Sequence, residues 1–259
     1  MHVDILTSGI WQTNSTILSE RGSAVVVDPA YFPRELDAIV ERAAERGRAA
    51  AVVFTHGHWD HVMGHSALPG APVYVSRVLA DDVARGDPRA AKYLADARDF
   101  DARWYVPRPH GHRWPAELRG LAESEHSDVG GLALRTLELP GHSPDGLGLL
   151  AGELLLVGDY LSPCEIPFID DARAYRTTLA RLLEVLRTVR DVIPGHGPRL
   201  TADEATAIAR ADLDYLDRLL DARVLDRALA VELPRAADVP GMTDHHRDNC
   251  ARALAASSD

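Results

Sequence analysis

The sequence predicts an α/β (α+β) fold on three observations. Strand-like and helix-like segments alternate through the first third of the chain. Short apolar segments return after residue 131, each ending near a Gly or Pro turn, and amphipathic helices follow them. A chain of 259 residues can bury one large core, or one core with an appended subdomain.

Val3–Leu6, Asn14–Leu18 and Ser23–Asp28 are apolar or β-branched segments separated by Gly and polar residues, the pattern of an antiparallel meander. Pro33 to Arg46 sets Leu36, Ile39, Val40 and Ala43 at helical spacing, and Gly47 stops the helix. Ala49–Thr55 reads as a buried strand, Asp60–Leu68 as the start of a short helix, and Val73–Val75 as another strand. From about Arg77 to Asp128 the pattern changes. Two helical pieces, near Val78–Arg85 and Arg89–Arg98, lead into Arg103-Trp104-Tyr105-Val106-Pro107-Arg108-Pro109-His110, which has weak periodicity. Such an excursion is either a lid beside a site or a packing insertion.

Strands resume at Leu132–Leu139, Gly146–Leu150 and Leu154–Val157. Ala172–Val189 is an amphipathic helix with Leu179, Leu182, Leu183, Leu186 and Val189 on one stripe, and Asp191–Ile193 is a short strand. Residues 201–259 read as helical over Ala202–Leu220 and Thr243–Ala255, interrupted at Pro234–Gly241. Asp212, Asp214, Asp217 and Asp221 read as a solvated helix face, and His245-His246 as solvent-exposed. The expected organisation is a catalytic domain over 1–200, with an insertion at about 77–128, and a helical extension over 201–259.

A formal charge of -11 argues against a nucleic-acid partner, whose phosphates need a basic surface. Lys92 is the only lysine, a matter of composition rather than mechanism. Two cysteines, Cys164 and Cys250, make no disulfide framework, which suits a reducing compartment. Met1–Leu6 lacks the basic and apolar segments of a signal peptide, and no apolar run approaches the ~20 residues that span a bilayer. These features lead to the expectation of a cytoplasmic protein with a small-molecule substrate and no membrane partner. An apolar patch on the C-terminal helices could pair two copies, so a homodimer stays open.

The chemistry concentrates in Thr55-His56-Gly57-His58-Trp59-Asp60-His61, directly after the apolar run Ala51-Val52-Val53-Phe54. Imidazoles and a carboxylate gathered at a strand's carboxyl end form a ligand set that borderline metals accept. A solvated polar turn is the plain alternative, but four potential ligands in six positions speak against it. Three later strand ends repeat the design: Pro140-Gly141-His142-Ser143-Pro144, Gly158-Asp159 and Pro194-Gly195-His196-Gly197. Small turn residues let the backbone approach a cluster closely.

With these residues the chain resembles the metallo-β-lactamase-fold hydrolases. The match is His56-x-His58-x-Asp60-His61 followed by His142, Asp159 and His196, in the family's order, over roughly residues 1–200. The resemblance implies a four-layer αββα sandwich with two divalent metal ions at one edge. Zinc is the first expectation, with iron and manganese as alternatives. Carried over, His56, His58 and His142 hold one metal, Asp60, His61 and His196 the other, and Asp159 bridges them. Asp28, in Val25-Val26-Val27-Asp28-Pro29, matches a recurring supporting aspartate; a plain turn former before Pro29 is the alternative. The implied reaction is hydrolysis of a thioester, lactone or ester by a metal-bound hydroxide, which Asp60 could orient.

Asp159 stands where classical lactamases carry Cys, and Cys164 comes five residues too late, so it reads as a buried small apolar residue. The glyoxalase-II-like group, with its thioesterases and lactonases, is the branch this chain is most similar to. A second class is a persulfide-dioxygenase-like oxidoreductase with one iron on His56, His142 and Asp159. Tyr160, Cys164 and Glu165 follow the bridging aspartate and are candidates to line a pocket. Arg103, Tyr105, Arg108, His110 and His112, in the excursion, are candidates to meet an anionic or aromatic substrate; packing and surface roles are the alternative for each. Asp145 either faces the site or turns the chain, and His65 reads as a helix-face histidine without metal.

Overall fold

In a computed structural model, residues 1–256 are described. They form two compact units, the first over Met1–Glu138 and the second from Leu139 onward.

The first unit opens with the antiparallel strands β1 (His2–Thr7), β2 (Asn14–Glu20) and β3 (Ser23–Val27). Helix α1 (Pro33–Arg46) then crosses to β4 (Arg48–Val53), which pairs parallel with β3. Helix α1 forms where the apolar spacing requires it, burying Leu36, Ile39 and Ala43. Glu35, in its first turn, accepts from Ser8 Oγ at 2.6 Å and Gly9 N at 2.8 Å, so the β1–β2 loop is pinned to the helix. After α2 (Trp59–Val62), β5 (Val73–Ser76) adds a further parallel strand beside β4. Ile17, Val26, Ile39, Val52, Phe54 and Leu79 are central to this unit's core.

The excursion is more regular than its sequence suggests. Helix α3 (Arg77–Arg85) is capped by Ser76. Helix α4 (Pro88–Trp104) starts on an Asp87 cap and continues six residues past Arg98. Arg103 and Trp104 are therefore helical, with Ala90, Tyr93, Ala97 and Asp101 on the buried stripe. Strand β6 (Leu118–Leu121) extends the parallel run beside β5, and β7 (Ser124–Val129) forms an antiparallel hairpin with β8 (Leu132–Glu138).

In the second unit, β9 (Leu147–Ala151) and β10 (Leu154–Leu156) are antiparallel. Helix α5 (Ala172–Leu186) leads to β11 (Asp191–Ile193), parallel to β10, and the short β12 (Leu200–Thr201) pairs antiparallel with β11. Helices α6 (Ala202–Asp221), α7 (Leu225–Leu229) and α8 (Met242–Ala256) complete it, with α6 and α8 packed on α5. In the first unit six strands run in the order β1-β2-β3-β4-β5-β6, and in the second unit the order is β12-β11-β10-β9. Among the described residues, no helix is long and apolar enough to cross a membrane.

Two polar readings on the C-terminal helices need correction. Asp212 is 0% exposed and takes both ends of the Arg235 guanidinium. A buried carboxylate needs such a partner, and 23 residues of sequence hide the pairing. His246 is buried as well, with Nδ1 2.8 Å from the Tyr215 hydroxyl.

Candidate metal centre

Strand β4 delivers Phe54 and Thr55 to the loop that carries His56 and His58, and α2 begins at once with Trp59. This single helical turn carries Asp60 and His61, both buried. The Thr13 hydroxyl, from the end of the β1–β2 loop, donates to Asp60 Oδ2 at 3.2 Å. His61 Nε2 lies 3.3 Å from the same oxygen. His56 Nδ1 is 3.2 Å from Thr55 Oγ1, and its Nε2 is 2.9 Å from His58 Nδ1. The His58 ring meets Tyr93 of α4 edge-on at 5.2 Å, so the excursion supports a candidate ligand directly.

Asp28 directly follows β3 and is buried, at a left-handed φ of 49°. Its carboxylate accepts from Thr55 N at 2.7 Å and Thr55 Oγ1 at 2.6 Å, and His61 Nδ1 lies 3.0 Å away. That carboxylate–imidazole contact is the arrangement that orients a metal-ligating histidine and turns its other nitrogen toward an ion. Asp28 thus contacts both Thr55 and the candidate ligand His61, which a plain turn former before Pro29 would not need to do.

The second unit carries the later candidate ligands on three tight turns. His142 Nε2 is 3.2 Å from Asp159 Oδ2, and His196 Nε2 is 3.3 Å from Asp159 Oδ1. Both imidazoles thus flank one carboxylate. Gly195 leaves room for that carboxylate: a Cβ on it would fall 2.2 Å from Asp159 Oδ1, so the acid or the turn would have to shift. His142 is held on its far side by Nδ1, 2.9 Å from the Phe168 carbonyl, and its backbone N–H donates to Tyr160 Oη at 3.1 Å. Burial disfavours the His142 imidazolium, but Asp159 and the Phe168 carbonyl outweigh it and hold its pKa above the ordinary value.

The remaining candidates are scattered. Tyr160 is buried and its hydroxyl is engaged by Pro140 O at 2.8 Å and by the His142 N–H, a supporting position for the ligand turn. Glu165 and Cys164 are half-buried, so Cys164 is not the fully buried residue expected. Asp145 is buried. Arg108 and His112 join Asp101 and Tyr31 in a polar knot: Asp101 accepts from Tyr31 Oη at 2.7 Å and Arg108 Nε at 2.9 Å, with His112 Nε2 at 2.7 Å. His110 is exposed, and Tyr105 is 92% exposed. His65 Nδ1 sits 3.1 Å from Val62 O, and burial lowers its pKa.

Arg103 lines a groove of about 570 Å³ in the first unit, walled by Trp11, Phe32, Phe100 and Trp104. Trp11 packs edge-on against Trp59, the residue between His58 and Asp60, at 5.2 Å. Sequence reasoning missed Trp11, Thr13 and Tyr93. Each acts on the ligand loop from a distant part of the chain, and none belongs to a motif of its own.

His56, His58, Asp60, His61, His142, Asp159 and His196 are all side chains of the kind that could hold metal ions. A model of the metallo-beta-lactamase superfamily matches residues 8–225. The chain belongs to the metallo-β-lactamase superfamily. Its two sheets and their helices have that superfamily's fold. Among curated relatives, it is 32% identical over 146 residues to a hydroxyacylglutathione hydrolase of Anaeromyxobacter dehalogenans, covering 56% of this chain. That match spans 44% of the relative, less than half its length. It is 26% identical to the hydroxyacylglutathione hydrolase GloC of Haemophilus influenzae, over 78% of this chain and 93% of that protein. Among solved structures, TTHA1623 in a di-iron-bound form is similar at a TM-score of 0.59 and 27% identity, over 78% of this chain and 96% of that one.

Proposed function

We propose that this superfamily member is a dinuclear-metal hydrolase of a small carbonyl substrate, with a thioester first and a lactone or ester next. The observation that carries the reading is the support built behind the candidate ligands. Asp28 lies behind His61, the Phe168 carbonyl behind His142, and Thr13 donates to Asp60. A solvated polar turn has no use for buried carboxylates and carbonyls aimed at ring nitrogens.

The donor set fits divalent ions. Imidazole nitrogens and carboxylates suit zinc, iron and manganese, and the hydrogen bonds at His61 Nδ1 and His142 Nδ1 leave each Nε2 as the ligating atom. In this reading His56, His58 and His142 hold one ion, Asp60, His61 and His196 the other, and Asp159 serves both. Such a pair supplies Lewis acidity toward a carbonyl and activation of water. The protein's own groups hold the geometry. Thr13 fixes the Asp60 carboxylate, which accepts a hydrogen bond from the attacking water and orients it. The aromatic groove beside Trp11 takes the apolar part of the substrate, and Arg103 meets an anionic end.

The hydroxyacylglutathione hydrolases among the relatives support the thioester class. Zinc is the first proposed metal, and the di-iron form of TTHA1623 supports iron as the competitor. Iron also keeps the second reading in play, a single-iron persulfide-dioxygenase-like oxidoreductase on His56, His142 and Asp159. The test is hydrolysis of a panel of acyl thioesters, lactones and activated esters by metal-replete protein. Turnover of at least one class, lost in Asp159→Ala, supports the hydrolase. A folded, metal-replete protein inert on all of them, but consuming oxygen with persulfides, establishes the alternative.

A further inference from the structure

The turn that carries His142 is tied to the far C-terminal helix through one side chain. Asn249, on α8, is 2% exposed. Its Nδ2 donates to Pro167 O at 2.7 Å and to Tyr215 Oη at 3.2 Å, and its Oδ1 accepts from Ile169 N at 3.2 Å. The amide orientation is determined by chemistry, since a peptide N–H needs an acceptor and a peptide carbonyl needs a donor. Asn249 thus grips the backbone on both sides of Phe168, the residue whose carbonyl meets His142 Nδ1 at 2.9 Å. The following residues return to the same turn, where Asp170 N and Asp171 N donate to Gly141 O at 2.8 and 2.9 Å.

We infer that Asn249 is a positioning residue for the His142 imidazole, acting through the Pro167–Ile169 backbone; this rests on His142 being a metal ligand. A side chain that both donates and accepts, at the spacing of one peptide group, is needed to hold a non-helical, non-strand segment in register. Tyr215 of α6 sets the Asn249 amide in turn, and its hydroxyl is 2.8 Å from His246 Nδ1. His246, Asn249, Cys250 and Ala253 form the buried stripe of α8 at helical spacing. The stripe presents polar groups to the core where an apolar one would suffice for packing alone.

The test compares Asn249→Leu, which removes both functions, and Asn249→Asp, which loses the amide donor, with Leu219→Ala as a control for loss of core packing. Cobalt(II) is titrated into each full-length metal-stripped protein against a chelator, and the visible spectrum of the cobalt form is recorded. In parallel, the His142 imidazole nitrogens are observed by NMR in the metal-stripped proteins. Positioning predicts cobalt binding weakened about 10-fold and an altered spectrum in both Asn249 variants, with Leu219→Ala unchanged in both readouts. It also predicts that the His142 Nδ1–H loses its hydrogen bond to the Phe168 carbonyl, read as a shift of the Nδ1 resonance. Folded Asn249 variants with native affinity, spectrum and Nδ1 resonance overturn the inference. A native chain that binds no cobalt removes the metal reading, and an unchanged His142 Nδ1 resonance in Asn249→Leu then overturns the clamp by itself.

Discussion

The carboxylate of Asp28 stands 3.0 Å from Nδ1 of His61, and it also receives the backbone N–H and hydroxyl of Thr55. One buried acid thereby locks the first residue of the ligand loop to a candidate ligand. Asp28→Ala removes an acceptor from a buried N–H, a cost of roughly 1–3 kcal/mol. Asp28→Asn keeps the side-chain shape and tolerates the left-handed backbone, but it weakens the hold on His61. The expected outcome is a metal affinity about 10–100-fold lower in Asp28→Asn with a modest loss of stability, read by chelator competition beside urea unfolding.

Gly195→Ala forces a methyl into the space of Asp159 Oδ1. The carboxylate must turn away from His142 and His196, or the 194–197 turn must shift. The variant is expected to lose most of its metal while keeping native far-UV circular dichroism. Overpacking of this kind costs about 1–3 kcal/mol, so the thermal midpoint falls as well. Full metal content in Gly195→Ala contradicts the assigned role of Asp159.

Arg235 joins the Pro234–Gly241 stretch to the rest of its unit, paired with Asp212 and donating to Ser162 O at 2.7 Å. Arg235→Ala strands a carboxylate that is 0% exposed. Breaking a buried pair from one side costs about 3–5 kcal/mol, whereas replacing both partners with apolar residues of similar volume is near neutral. Denaturant unfolding of Arg235→Ala and of the Asp212→Leu, Arg235→Met double variant checks both halves of this expectation.

Asp101 gives a pH signature. Burial pushes its carboxyl up, but hydrogen bonds from Arg108, Tyr31 and His112 outweigh that and leave its pKa below the ordinary 3.8. A folded pKa below the unfolded one means stabilisation that is complete above the unfolded value and lost as pH falls through the folded one. Asp101→Asn is therefore expected to be less stable than the native chain at neutral pH. The gap closes as pH drops below about 4. Thermal melts of both proteins between pH 3 and 7 follow it, and a gap that stays constant across the range refutes the assignment.

The candidate ligand motif stands out in the sequence because it is local: His56, His58, Asp60 and His61 sit at the end of an apolar strand, and His142, Asp159 and His196 fall on Gly-flanked turns. Helix α1 was legible from Leu36, Ile39 and Ala43, with Gly47 to stop it. Strand β7 was not, because Ser124-Glu125-His126-Ser127-Asp128 offers no apolar alternation and sits at a sheet edge. Asp212 and His246 were read as solvated because their partners, Arg235 and Tyr215, lie 23 and 31 residues away. Polar burial depends on pairs, and a pattern read one position at a time registers only half of each. In the sequence Asp28 fits a turn former and a supporting acid equally well, and its contacts with Thr55 and His61 favour the second.

The most direct test of the central claim is the metal content of the native chain, purified without added metal and measured by elemental analysis beside Asp159→Ala. The dinuclear hydrolase predicts about two divalent ions per native chain, with metal and hydrolytic activity lost together in the variant. A folded native chain carrying no metal, or one iron per chain with no hydrolytic activity, contradicts it.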